Sequence, residues 1–61
     1  MTLTGKEFVK LAQKNGWKLL RIHASHYVLS KGASTIVVPV HGGKNLPTGL
    51  YHKLLKQAGL N

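Results

Sequence analysis

A proline placed near the end of a β-rich run restricts what this chain can build. The run is TIVVPV, Thr35 to Val40, in which Ile36, Val38 and Val40 alternate onto one face and Pro39 occupies the other. Proline has no N–H to give to a ladder, so this strand belongs at the edge of a sheet. Two further strand patterns precede it. WKLLRIH, Trp17 to His23, places Lys18, Leu20 and Ile22 on one face and Trp17, Leu19, Arg21 and His23 on the other. HYVLS, Ser30 being its last residue, alternates Tyr27 and Leu29 with His26, Val28 and Ser30. Ala24 and Ser25 form a tight connection between the first two strands, and Lys31 to Ser34 a hairpin loop around Gly32. A three-stranded antiparallel meander then puts the proline strand at an edge.

Helical patterns flank the strands. Thr4 and Glu7 in TGKE form a capping box, and from Gly5 to Lys14 the apolar residues Phe8, Leu11 and Ala12 share one helical face. Lys6, Lys10 and Lys14 recur every fourth residue on another face, and Asn15 and Gly16 supply the stop. After the loop HGGKN, Pro47 suits a first helical turn, and Leu50, Tyr51, Leu54, Leu55 and Ala58 form an apolar stripe that ends at Gly59. The expected fold is α+β, in the order helix, three-stranded antiparallel sheet, helix, with both helices on one face of the sheet. Residues 1–61 form a single domain on this reading. A chain of this size buries only about 60% of its unfolded surface on folding, and without cysteine no disulfide supplements that thin core.

Charge then narrows the partners. Nine Lys or Arg stand against one acidic residue, Glu7, for a formal net charge of +8. Such a chain seeks a polyanion or an acidic protein. No apolar run reaches the roughly 20 residues of a membrane span, and the N-terminus lacks a basic-then-apolar signal pattern, so a soluble cytoplasmic protein is expected, with no membrane partner.

The residue inventory also narrows the chemistry. A single carboxylate side chain excludes paired-carboxylate acid/base catalysis, the Ser-His-Asp relay lacks its third member, and a cysteine nucleophile is absent. Two-metal phosphodiester cleavage lacks the carboxylates that hold the ions. Four histidines remain, at 23, 26, 41 and 52. His23 and His26 do not match a recognised helical ligand spacing, and an offset of three along a strand points them to opposite faces, so no metal site and no cofactor are expected. What remains open is proton transfer by imidazole beside cations that stabilise phosphate, the requirement for metal-free cleavage of RNA through its own 2′-hydroxyl. On the residues alone, His26 is the leading candidate for that proton transfer. His41, which follows the third strand and precedes two glycines, is a candidate substrate contact. The Lys6, Lys10 and Lys14 ridge reads either as a solvated helix face or as part of an RNA or partner surface.

The motifs together resemble the HicA toxins of bacterial toxin-antitoxin systems, small mRNA interferases, over about Leu3 to Leu60. NGW followed by a strand containing Arg21 is similar to the family's first helix-to-strand junction, and ASH to its glycine-serine-histidine signature. VPVHGGKNL is similar to its third strand and following loop, and GLYHKLLKQAGL to its last helix. The resemblance implies a double-stranded-RNA-binding-domain-like fold and ribonuclease activity on mRNA that arrests translation and growth. It makes His26 the catalytic residue. It also implies an acidic HicB-like antitoxin that masks the active site, with operator DNA bound only through the antitoxin complex. Lys6, Lys10, Lys14, Arg21, Ser25, His41 and Lys44 are the candidate RNA or phosphate contacts. The chain departs from the signature at its glycine, which is Ala24 here; if that position needs positive φ, alanine carries strain. His23, three residues before the signature histidine, has no counterpart role. A non-catalytic basic RNA-binding module is the rival reading.

Overall fold

The structure, a computed structural model, describes residues 2–60. Helix α1 spans Gly5–Lys14, strands β1, β2 and β3 span Lys18–His23, His26–Lys31 and Ser34–Pro39, and helix α2 spans Thr48–Ala58. The three strands form one antiparallel sheet in the order β1-β2-β3, so Pro39 lies in an edge strand as its chemistry requires. The N–H of Val40, one residue on, donates to the Ser25 carbonyl at 2.7 Å. Because successive N–H groups alternate sides of a strand, the proline nitrogen faces the outer edge, where no partner is lost.

Both helices lie on one face of the sheet. Phe8, Val9 and Ala12 of α1 and Leu54 and Ala58 of α2 form one buried cluster with Leu29, Ile36 and Val38. Those three strand residues share a face, since Leu29 is paired with Ile36 and Val38 with Tyr27, two residues from Leu29. Trp17 is buried with them rather than forming the first residue of β1, and its indole N–H donates to the Ala58 carbonyl at 3.2 Å. One side chain thereby ties the α1–β1 junction to the end of α2.

Local chemistry sets the helix limits. The Thr4 hydroxyl accepts from the Glu7 N–H at 3.1 Å and the Glu7 carboxylate accepts from the Thr4 N–H at 2.9 Å, completing the capping box. Lys31 donates to the Asn15 carbonyl at 2.8 Å, satisfying a free acceptor just past the last turn of α1. Helix α2 begins one residue later than the sequence pattern suggests, with Pro47 as its N-cap, and ends on left-handed Gly59 at φ 71°. Gly5 is buried, and a Cβ there would strike the Pro39 carbonyl and the Val40 backbone. The first turn of α1 therefore sits directly on the end of β3 at a distance only glycine permits.

The expected alternation along β1 is corrected. The register skips a residue between Leu19 and Arg21, a bulge centred on Leu20. Leu19 is paired with Leu29 and Ile22 with Tyr27, which puts Leu19 and Ile22 on the core side. Lys18, Arg21 and His23 share the opposite, open face. A strict period of two cannot anticipate this, because one extra residue inverts every side chain beyond it.

Candidate active site

The open face of the sheet is built from three cross-strand rows. Lys18, Ser30 and Thr35 form the row at the end nearest the C-terminus of α1, Arg21, Val28 and Val37 the middle row, and His23, His26 and Pro39 the row at the opposite end. His23 and His26 are thus direct partners on one face, not on opposite faces as their offset of three suggests. They belong to different strands joined by a two-residue turn, and directly opposed residues of an antiparallel pair project to the same side. Both imidazoles are exposed.

Turn geometry explains why the pair closes there. Ala24 has φ 54°, and it is the one non-glycine residue with positive φ among those described. A hairpin loop with positive φ confined to its first central residue is of the kind that ordinarily carries glycine at that position. The departure noted at Ala24 is therefore a strained one. Ser25, half-buried beside it, has its carbonyl fixed by the Val40 N–H, which locks the turn to the end of β3.

The end row continues beyond Pro39 into the loop that follows β3. There Pro39, His41, Lys44, Asn45, Leu46 and Pro47 line an open pocket. The Lys44 N–H donates to the His41 carbonyl at 3.1 Å, folding that loop back on itself. Buried Leu46 anchors it, with its N–H on the Leu3 carbonyl at 2.8 Å and its carbonyl accepting from the Thr2 hydroxyl at 2.8 Å.

The sequence-derived candidates divide into two groups. Ser25, His26, His41 and Lys44 lie at one end of the open face and in the loop past Pro39, and Arg21 is on the same face in the middle row. Lys6, Lys10 and Lys14 are exposed on α1, in the helix layer on the other side of the sheet. Lys6, in the first turn beside Val40, is at the His26 end, whereas Lys14 lies eight residues on, roughly 12 Å along the helix axis. His52 is exposed on α2 with its ring 5.5 Å from that of Tyr51, away from the open face. Sequence reasoning alone misses His23 as a site residue, although the two-residue turn between the histidines is a signal that they face each other.

Among the described residues no group of three or more His, Asp or Glu side chains is placed to hold a metal ion, and no helix is long and apolar enough to cross a membrane.

The chain has no significant match among curated proteins. The family model for the HicA toxin of bacterial toxin-antitoxin systems matches residues 5–60, which takes in both helices, the whole sheet and the histidine pair. With the helix, three-strand, helix order and the ASH turn in place, the chain belongs to the HicA toxin family.

Proposed function

We propose that this toxin is a metal-independent endoribonuclease that cleaves mRNA, with His26 as general acid or base. The observation that carries the reading is the position of His26: exposed, at the end of an open cationic sheet face, next to a turn held in a strained conformation. Backbone strain of this kind persists where the surrounding structure enforces it, and it concentrates at functional sites. Arg21 lies on the same face, and Lys44 and His41 line the pocket beyond Pro39. A phosphodiester laid along this end meets a proton carrier and cations together.

The chemistry follows from the substrate. The 2′-hydroxyl of RNA attacks the adjacent phosphorus as a base removes its proton, and the 5′-oxygen departs as an acid protonates it. Arg21 and the lysines offset the charge that develops on the non-bridging oxygens. The products are a 2′,3′-cyclic phosphate and a free 5′-hydroxyl. Cleavage in the cytoplasm lowers the pool of translatable message, and an acidic HicB-like antitoxin restores growth by covering this basic surface. Operator DNA is contacted through the antitoxin complex.

An end-labelled RNA and the DNA of the same sequence, each incubated with purified protein in EDTA, test the reading. Cleavage of RNA alone, leaving cyclic phosphate ends, is the expected result. Binding without cleavage would place the protein among basic RNA-binding modules instead.

A further inference from the structure

We infer that His23 is the second proton-transfer residue, and that His23 and His26 act as an acid/base pair on the two sides of one scissile phosphate. This rests on the ribonuclease reading above and supplies the carrier that a single histidine cannot be. In one transesterification a proton leaves the 2′-oxygen while another reaches the 5′-oxygen, so two groups in opposite protonation states are needed.

Four histidines are present, and the fold sorts them. His52 is on α2, in the helix layer. His41 lies in the loop past β3, with Pro39 between it and His26 along the sheet. His23 is in direct register with His26 on the same open face. Cβ atoms of such partners are roughly 4.5–5.5 Å apart. Attacking and leaving oxygens lie on opposite sides of the phosphorus, so two imidazoles projecting side by side can flank them from one surface.

The hairpin turn supports the same assignment. A two-residue loop makes the residues before and after it a facing pair, and this loop is kept although it forces Ala24 to φ 54°. The charged side chains on this face are Arg21, two residues from His23 on β1, and Lys18 beyond the bulge; β3 contributes none and β2 only His26 itself, since Lys31 alternates to the helix side, where it bonds the Asn15 carbonyl. That surrounding field favours a phosphate between the imidazoles over a divalent cation.

The step balances within the pair. Neutral imidazole takes the 2′-hydroxyl proton as the 2′-oxygen-to-phosphorus bond forms, and imidazolium gives its proton to the 5′-oxygen as the phosphorus-to-5′-oxygen bond breaks. Exchange with water then restores the starting protonation states.

Single-turnover cleavage in EDTA tests the pair, using native protein, His23→Ala, His23→Gln and His26→Ala, each checked for native circular dichroism. Two substrates are compared: an RNA with one cleavable linkage, and the same RNA with sulfur as the 5′-bridging atom, a leaving group that needs no proton. On the oxygen substrate both His23 variants lose about 100-fold or more. On the sulfur substrate one of His23→Ala and His26→Ala recovers toward the native rate and the other stays slow, which identifies the acid and the base. Native-like rates in His23→Gln would show that the position needs only a polar side chain and would overturn the inference. Recovery of both alanine variants, or of neither, would overturn it as well. Absence of cleavage by the native protein would instead defeat the ribonuclease reading, a separate outcome.

Discussion

Replacing Ala24 by glycine should make the protein more stable, an unusual direction for a glycine substitution. Alanine at φ 54° pays for a Cβ crowded against its own backbone, roughly 1–2 kcal/mol in the left-handed region. Glycine removes that crowding but gives the unfolded chain more freedom, which returns about 0.4–1 kcal/mol. The net gain at the centre of these ranges is about 0.8 kcal/mol. For a domain of this size that raises the melting temperature by about 3–6 °C. Trp17, the sole tryptophan and 4% exposed, provides the fluorescence signal for thermal and urea unfolding. Ala24→Val is the opposing control, because a β-branched side chain tolerates positive φ least. The order Gly above Ala above Val is expected. A lower melting temperature for the glycine variant would refute the assignment of strain at this turn, and with it the explanation of how the histidine pair is held.

Other substitutions test separate parts of the structure. Gly5→Ala forces α1 away from the Pro39 and Val40 backbone and should cost about 1–3 kcal/mol in urea titrations, whereas a neutral effect would contradict the close approach. The Glu7 carboxyl is held below its usual range, chiefly by the Thr4 backbone N–H and then by the Thr4 hydroxyl. Its stabilising contribution is therefore complete above the ordinary carboxylate pKa and disappears as pH falls through the lowered value. Glu7→Ala should accordingly be less stable than native protein at pH 7, the difference shrinking in acid; a difference independent of pH would count against the capping box. Arg21→Ala should weaken binding of an uncleavable 2′-O-methyl RNA and lower the salt slope by about 0.7, while Lys14→Ala leaves the slope unchanged, as measured by fluorescence anisotropy. Equal losses in both would mean that RNA also runs along the helix layer.

Element order and most boundaries were readable because local signals agreed. The capping box at Thr4, the glycine stops at 16 and 59 and the alternation along β2 and β3 each act within a few residues of chain. Three features depended on tertiary partners. Trp17 looks like a strand residue by composition and is instead drawn into the core by the Ala58 carbonyl and the surrounding apolar side chains. The bulge at Leu20 leaves no mark in an apolar run, yet it moves Arg21 and His23 to the open face. Gly5 reads as an ordinary helix start until β3 is packed against it.

At the candidate site, the left-handed residue was legible and the pairing was not. The need for glycine at position 24 followed from a motif, and the observed φ bears out the expected strain. Counting His23 and His26 along one strand separated them, whereas counting across the turn joins them. The basic ridge on α1 illustrates the opposite case, a regular pattern in sequence that the fold places on the far layer from the open face.

The central claim is that His26 drives cleavage of RNA without a metal ion. Native protein and His26→Ala, both shown to be folded, can be compared on one long mRNA in EDTA over a time course. Cleavage by the native chain and a loss of about 100-fold or more in the variant are predicted. RNA degraded at the same rate by both proteins, or left intact by both, would contradict the account.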